Sequence, residues 1–134
     1  MVKVLDASAL ICYLAGELGS EKVKDFLIKA KQSQQNLLIS SINWSEVYYF
    51  LLREYELQEV NKILQLIDTF PLDIVAVDRI LASQAALVKF ERKLALADSY
   101  AAALAKIHKG ELITTDKDFQ AVEKDIKILW LPHH

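Results

Sequence analysis

The feature that most constrains the fold is a regular alternation of short apolar strand patterns with longer helical patterns. The 134-residue chain contains five such strand patterns separated by amphipathic helical segments. This alternation favours a parallel sheet covered by helices on both faces, because parallel strands need helical crossovers. We therefore predict an α/β fold with a central parallel sheet of about five short strands. The predicted strands are 2–5, 36–39, 73–77, 112–114 and 126–131, and the predicted helices are 7–15, 21–30, 43–54, 58–69, 78–92, 96–108 and 117–122.

Length and composition indicate one ordinary folded domain. The residues are 53% hydrophobic and 25% charged, and three Gly and two Pro leave little room for linkers. We expect a single domain over residues 1–132. His133 and His134 are either native or the remnant of a tag, and we exclude them from the mechanism. The first residues lack the layout of a signal peptide, and no apolar run reaches the roughly 20 residues of a membrane span. The expected location is the cytoplasm, away from membranes.

Four acidic residues lie where the chain changes between strand and helix. Asp6 follows the first strand, Glu46 lies on the helix after the second strand, Asp98 opens an alanine-rich helix, and Asp116 follows the fourth strand. Parallel sheets gather the carboxyl ends of their strands at one edge, so these side chains are expected to meet there. Clustered carboxylates cannot all stay ionised unless a cation is present. The sequence therefore predicts a Mg²⁺ or Mn²⁺ site.

Each of these residues also has a structural explanation. Asp6 and Asp116 are good helix caps, the first turn of a helix favours a negative charge at Asp98, and Glu46 could lie on a solvated face. Their joint placement favours the metal site, because the structural explanation needs a separate coincidence for each. Without metal, at least one carboxyl group should keep its proton to unusually high pH.

A carboxylate-held cation suits metal-assisted hydrolysis, because the cation activates a water and neutralises charge on a phosphoryl oxygen. The net charge of −2 argues against a strongly basic nucleic-acid binder, but four metal-neutralised carboxylates would leave the remaining surface at +2. The lysine runs around 22–31 and 89–93 are typical of solvated helix faces. Arg53, Arg79 and Arg92 are scattered along the chain and mark no obvious path for RNA.

Four segments of the chain resemble a known family. VLDASAL (4–10), ISSINWSEVYYFL (39–51), LADSYAAALA (96–105) and LITTDKDF (112–119) are similar, in order, to the four motif blocks of PIN-domain ribonucleases. They are most similar to the VapC-like toxins of prokaryotic toxin–antitoxin pairs. The resemblance implies a PIN-like fold and makes four residues the acidic metal ligands and catalytic residues: Asp6, Glu46, Asp98 and Asp116. Three further residues match accessory polar positions: Ser8, Thr115 and Asp118.

The resemblance also implies an activity and partners. These are Mg²⁺- or Mn²⁺-dependent endoribonuclease activity on tRNA or a ribosomal RNA loop, a homodimer, and an antitoxin whose C-terminal segment covers the active site. Two alternatives stay open: a PIN nuclease with a housekeeping role in RNA processing, and a non-catalytic module that uses the fold to bind a protein. A haloacid-dehalogenase-type phosphatase would need a second Asp two residues after Asp6, where this chain has Ser8.

Several other reactive or aromatic residues are expected to be structural. Cys12 lies in an apolar stretch without a nearby base, which is typical of a buried small side chain, and a single cysteine excludes an internal disulfide. His108 is expected to serve the helix dipole or solvent. Trp130 is expected in the core. One helix carries a heavy aromatic load that is either core or a surface for a second copy or an antitoxin helix: Trp44, Tyr48, Tyr49 and Tyr55.

Overall fold

The computed structural model describes residues 1–132, and His133 and His134 lie outside the described residues. Five strands form one sheet in which every pairing is parallel. The predicted α/β class is confirmed. The strands are β1 (Lys3–Leu5), β2 (Leu37–Ser40), β3 (Leu72–Val75), β4 (Glu111–Thr114) and β5 (Lys127–Trp130). The α-helices are α1 (Ala7–Leu14), α2 (Ser20–Ser33), α3 (Ser41–Glu54), α4 (Leu57–Ile67), α5 (Arg79–Arg92) and α6 (Leu96–Ile107), and a 3₁₀ helix spans Lys117–Val122.

The strand order is β3-β2-β1-β4-β5, so the direction of winding reverses between β1 and β4. At such a reversal the connections leave in opposite directions and open a crevice outside the carboxyl ends of the two strands. Asp6 directly follows β1, and Asp116 lies two residues after β4. The topology therefore places both aspartates beside this crevice.

Side-chain alternation along the strands divides the apolar residues between the two faces of the sheet. Leu5, Ile39 and Ile113 belong to a buried cluster that also contains residues of α1, α2, α3 and α4. Val4 and Leu112, one position earlier on their strands, pack into a second cluster with α5, α6 and the 3₁₀ helix. Helices thus cover both faces, as the near-continuous apolar strands predict.

Short polar side chains fix where several helices begin. Asp6, Ser40 and Asp78 are the N-caps of α1, α3 and α5, and each accepts a hydrogen bond from a backbone N–H in the first turn. Such a bond satisfies a donor that the helix leaves unpaired. Because Ser40 is the cap of α3, this helix begins at Ser41, two residues before the predicted start.

The turn between α6 and β4 depends on a residue in the left-handed conformation and on the glycine that follows it. Lys109, with φ of 51°, adopts the left-handed conformation, and Gly110 follows it. A Cβ on Gly110 would lie 2.4 Å from the carbonyl oxygen of Val2. Gly110 is thus required for the close approach of β4 to β1, which holds the two strands of the crevice together.

Two core assignments have different outcomes. Cys12 is fully buried, which confirms the structural interpretation. The assignment of Trp130 to the core is wrong: its side chain is 37% exposed because β5 is an edge strand. Within residues 1–132, no helix is long and apolar enough to cross a membrane.

Candidate metal centre

An open cavity of about 320 Å³ lies outside the carboxyl ends of β1 and β4. Its wall contains all four acidic residues that the sequence predicts as metal ligands. The helices α1, α3 and α6 and the segment after β4 each supply part of this wall. The lining residues are Asp6, Ala7, Ser8, Ile11, Glu46, Tyr49, Phe50, Arg53, Asp98 and Asp116.

Asp6 is the deepest of these acids, with only 3% of its surface exposed. Its Oδ1 accepts hydrogen bonds from the backbone N–H of Ala9 at 2.9 Å and from Ser8 Oγ at 2.8 Å. Its Oδ2 accepts a short hydrogen bond of 2.6 Å from Thr114 Oγ1. Asp6 is therefore both the cap of α1 and a rigidly held carboxylate at the floor of the cavity, so the capping and metal explanations do not compete.

The two hydroxyls that contact Asp6 are themselves oriented by backbone groups. Ser8 Oγ accepts from the N–H of Thr115 at 3.0 Å, and Thr114 Oγ1 accepts from the N–H of Asp116 at 2.9 Å. Because each hydroxyl already receives a backbone proton, its own proton is free to point at Asp6. Thr115 thus joins this network through its backbone, whereas Thr114 joins it through its side chain.

Glu46 is exposed to the cavity and is oriented by Asn43, one helical turn earlier on α3. Asn43 Nδ2 donates to Glu46 Oε1 at 3.1 Å and to the carbonyl oxygen of Ala97 on α6, also at 3.1 Å. Asn43 Oδ1 accepts from Ser40 Oγ at 2.6 Å. The buried amide therefore ties Glu46 to the first turn of α6, which carries Asp98.

Asp98, Asp116 and Asp118 form the tightest carboxylate group. One carboxylate oxygen of each lies within 4.8 Å of the others. Asp116 is the cap of the 3₁₀ helix and accepts a hydrogen bond from the N–H of Asp118, which fixes their relative position. Asp118, expected only as an accessory residue, thus belongs to the same carboxylate group as Asp98 and the predicted ligand Asp116.

Burial and mutual repulsion raise the pKa of two of these groups. Burial is the main reason that the pKa of Asp6 rises to about 6, although its three hydrogen bonds oppose the shift. Burial, followed by repulsion from Asp116, Asp6, Glu46 and Asp118, raises the pKa of Asp98 to about 7. These raised pKa values agree with the expected retention of a proton to unusually high pH. Asp98 experiences the field of all four other acids, which makes it the electrostatic centre of the site.

The donor set suits a hard divalent cation. Carboxylate oxygens are the ligands that Mg²⁺ and Mn²⁺ prefer, whereas thiol and imidazole ligands select other metals. Of the described residues that line the cavity, Arg53 alone is basic, so the negative charge is not neutralised by the side chains. A cation would remove the repulsion that raises the pKa of Asp98.

Without a cation, the protein is expected to lose stability as the pH rises through this range. The pKa of Asp98 is about 7 in the folded chain and 3.8 as its ordinary value. Between these values the unfolded chain holds fewer protons, so the free energy of unfolding falls as the pH rises. Solvent screening at this half-buried group limits the contribution to on the order of 2 kcal/mol.

Urea unfolding in EDTA at about pH 5 and about pH 8 measures this effect, with Asp98→Asn as the control that removes the titrating group. The wild-type chain should lose more stability than the variant between the two conditions, and Mg²⁺ should restore it at the higher pH. An equal pH dependence in both chains would show that Asp98 does not titrate as its surroundings require.

Sequence reasoning missed two residues that organise this centre. Thr114 is buried, and its bond to Asp6 makes it part of the floor. Asn43 orients Glu46 through its side-chain amide. The available signal was position: Thr114 is the last strand residue before Asp116, and Asn43 lies three residues before Glu46.

The fold and the site together define an α/β protein with an acidic, cation-type cavity at the reversal of its parallel sheet. The model of the PIN domain family matches residues 3–125. The chain belongs to the PIN domain family, which confirms the resemblance seen in its four motif blocks. No curated protein matches its sequence.

Solved structures share this fold along nearly their whole length. A chain of a toxin–antitoxin complex from Klebsiella pneumoniae has a TM-score of 0.67 and 23% identity, covering 98% of this chain and 99% of that one. VapBC2 from Rickettsia felis, bound to a DNA fragment from the promoter, has a TM-score of 0.77 and 14% identity, covering 98% of this chain and 100% of that one. FitAcB from Neisseria gonorrhoeae has a TM-score of 0.73 and 20% identity, covering 96% of each chain. At these identities the likeness establishes the fold.

Proposed function

We propose that this protein is a Mg²⁺- or Mn²⁺-dependent endoribonuclease and the toxin of a toxin–antitoxin pair. The observation that carries the proposal is the convergence of Asp6, Glu46, Asp98, Asp116 and Asp118 around one cavity of a PIN domain. A single domain over residues 1–132, acting in the cytoplasm on tRNA or a ribosomal RNA loop, is part of the proposal.

Each residue has a defined role in this proposal. Asp98, Asp116 and Asp118 would hold the cation together with Asp6 and Glu46, and Ser8 and Thr114 keep Asp6 in place. The bound cation supplies charge neutralisation at the phosphoryl oxygen and activation of the attacking water. Because Asp6 is buried, a phosphodiester can approach only from the open side of the cavity, whose lining includes the exposed residues Glu46 and Arg53.

The proposed partners are an antitoxin and a second copy of the chain. Structures of similar fold include complexes described as toxin–antitoxin or VapBC, which supports an antitoxin whose C-terminal segment covers the cavity. For the homodimer, α5 presents exposed apolar side chains at Ile80, Leu87 and Phe90, the last 84% exposed. Light scattering of the purified protein tests the dimer, and a monomer at micromolar concentration would contradict it.

Cleavage of total RNA by the purified protein tests the activity. We expect discrete cuts with Mg²⁺ or Mn²⁺ and none in EDTA, because the carboxylates cannot act without a cation. Calorimetric titration of the metal in the same preparation separates a failure of metal binding from a narrow substrate range. A protein that binds no Mg²⁺ or Mn²⁺ and cuts no RNA would contradict the nuclease proposal.

Two alternatives give different results. A housekeeping PIN nuclease would cut RNA but would have no antitoxin gene beside its own and would not arrest growth. A non-catalytic binding module would bind metal weakly, and its cellular effect would survive Asp98→Asn. The full set of acids in the cavity favours the catalytic proposals over the binding module.

A further inference from the structure

Helix α3 continues past Glu46 with a polar and aromatic face that belongs to the same cavity. Tyr49, Phe50 and Arg53 lie three, four and seven residues after Glu46, and all of them line the cavity wall. This spacing places them on one side of the helix. This part of the wall therefore extends about two helical turns along α3, from Glu46 to Arg53, and a bound nucleic-acid strand could follow it.

The exposed aromatic ring of this wall has little role in the core. Tyr49 is 63% exposed, whereas Trp44, Phe50 and Tyr55 on or next to the same helix pack against the buried cluster. The core explanation for the aromatic residues of α3 thus fits Trp44 and Tyr55. Tyr48 contacts Trp44 edge to face, and Tyr49 is left unexplained. A large exposed ring beside an open, acidic cavity is a surface on which a flat ligand can stack.

Arg53 adds a positive charge to the same wall. Its guanidinium carbon lies 5.6 Å from the centre of the Tyr49 ring and 6.0 Å from that of Phe50, distances typical of a cation–π contact. The guanidinium also contacts Glu54 at 3.3 Å, but both side chains are about half exposed, so this pair binds weakly. Arg53 can exchange it for a phosphate, which it can bind through two N–H groups.

An aromatic plane and a guanidinium beside a cation site match the chemistry of unpaired RNA. Proteins read single-stranded RNA by stacking bases on aromatic rings and arginine planes, whereas A-form duplexes keep their bases stacked inside the helix. The charges of the cavity also support RNA binding at this wall. Among the described residues lining this acidic cavity, Arg53 alone can attract a phosphate. The backbone of a bound RNA would then run from Arg53 towards the carboxylates.

We propose, on the premise that the cavity is the nuclease site proposed above, that Tyr49 and Arg53 form a subsite for an unpaired nucleotide. The base of a nucleotide flanking the scissile phosphate stacks on Tyr49, and Arg53 binds the phosphate next to it. The subsite restricts cleavage to positions where the RNA is single-stranded, such as loops, and excludes regular duplex RNA.

Binding of a fluorescent single-stranded RNA of about 12 nucleotides, within the range of known single-strand sites, tests the subsite. Fluorescence anisotropy is measured with Ca²⁺ in place of Mg²⁺, with the same strand annealed to its complement as the second probe, and gels check that the RNA stays intact. Tyr49→Ala should bind the single strand about tenfold more weakly, whereas Tyr49→Phe, which keeps the stacking plane, should stay within about twofold. The duplex should bind the wild type about as weakly as the single strand binds Tyr49→Ala.

A second pair of variants measures how much the charge of Arg53 contributes to RNA binding. Arg53→Ala should weaken binding about fivefold and reduce its salt dependence, because one phosphate contact is lost. Lys106→Ala removes the same charge from an exposed position on α6, roughly 12 Å along the helix axis from Asp98, and should change the affinity less than about twofold.

The outcomes separate this subsite from the proposed function. If the wild type cuts RNA with Mg²⁺ but Tyr49→Ala binds and cuts like the wild type, the subsite is wrong and the nuclease stands. Equal binding of duplex and single strand, or equal losses in Tyr49→Ala and Tyr49→Phe, would also overturn it. If Tyr49→Ala weakens only the association with an antitoxin, the surface is a protein interface. A wild type that does not bind the single strand overturns the subsite, and one that also binds no Mg²⁺ or Mn²⁺ and cuts no RNA overturns the nuclease proposal as well.

Discussion

Asp98→Asn is expected to abolish metal-dependent RNA cleavage while leaving the chain folded. One carboxylate oxygen of Asp98 lies within 4.8 Å of an oxygen of Asp116 and of Asp118. Burial, followed by repulsion from the four neighbouring acids, raises the pKa of Asp98. The amide keeps the shape of the side chain but removes the charge that attracts the cation. Loss of several kcal/mol of charge stabilisation in the transition state corresponds to a rate at least about 1000-fold lower.

The loss should appear in metal binding as well as in cleavage. Calorimetric titration of Mg²⁺ should show a much weaker affinity for Asp98→Asn, and cuts in total RNA should disappear. Asp25→Asn makes the same chemical change at an exposed position of α2 and should leave both measurements unchanged. Wild-type cleavage by Asp98→Asn would contradict the role of Asp98 in holding the cation.

A stability measurement shows whether Asp98→Asn loses activity because the metal site is lost or because the fold is disrupted. In EDTA at about pH 8, Asp98→Asn should be at least as stable as the wild type, because it removes a repelled and partly buried charge. An inactive variant that unfolds more easily in EDTA would instead indicate a structural role. The clustered negative charge that attracts the cation thus lowers the stability of the metal-free protein.

The position of the site could be predicted because it depends on topology. Asp6 and Asp116 follow the two strands between which the sheet reverses, so any chain with this strand order brings them to one crevice. Asp98 and Glu46 lie on helices that could also be predicted, because their apolar residues recur at helical spacing. The capping roles of Asp6 and Asp116 are real but do not exclude a metal site, since the cap bonds fix the carboxylates in place.

The contacts within the site could not be predicted because they depend on register. Thr114 and Thr115 look alike in the sequence, but Thr114 ends β4, paired with Trp130 and fully buried, and Thr115 lies beyond the strand. Only the first can direct its hydroxyl at Asp6. The exposure of Trp130 has a similar origin, because β5 becomes an edge only through the order of all five strands.

Asn43→Ala is expected to lower both stability and activity, although Asn43 is not a predicted metal ligand. Its buried amide makes three side-chain hydrogen bonds that join Ser40, Glu46 and the carbonyl of Ala97. Alanine leaves the buried Ser40 hydroxyl and the Ala97 carbonyl without these partners, at a cost of about 1–3 kcal/mol in the free energy of unfolding. Glu46 also loses the donor that sets its direction.

Misplacement of a carboxylate that helps to hold a cation should be visible in the metal dependence of the reaction. Loss of such a supporting contact typically lowers metal affinity or activity about 10- to 100-fold, so the Mg²⁺ concentration for half-maximal cleavage should rise. Ser45→Ala provides the control, since Ser45 precedes Glu46 directly and donates only to the carbonyl of Ile42 on the exposed side of α3. If Asn43→Ala unfolds more easily yet keeps the wild-type dependence on Mg²⁺, Asn43 stabilises the junction of α3 and α6 without positioning Glu46. A rise in the Mg²⁺ requirement under conditions where the variant is fully folded would instead establish that this junction sets the geometry of the site.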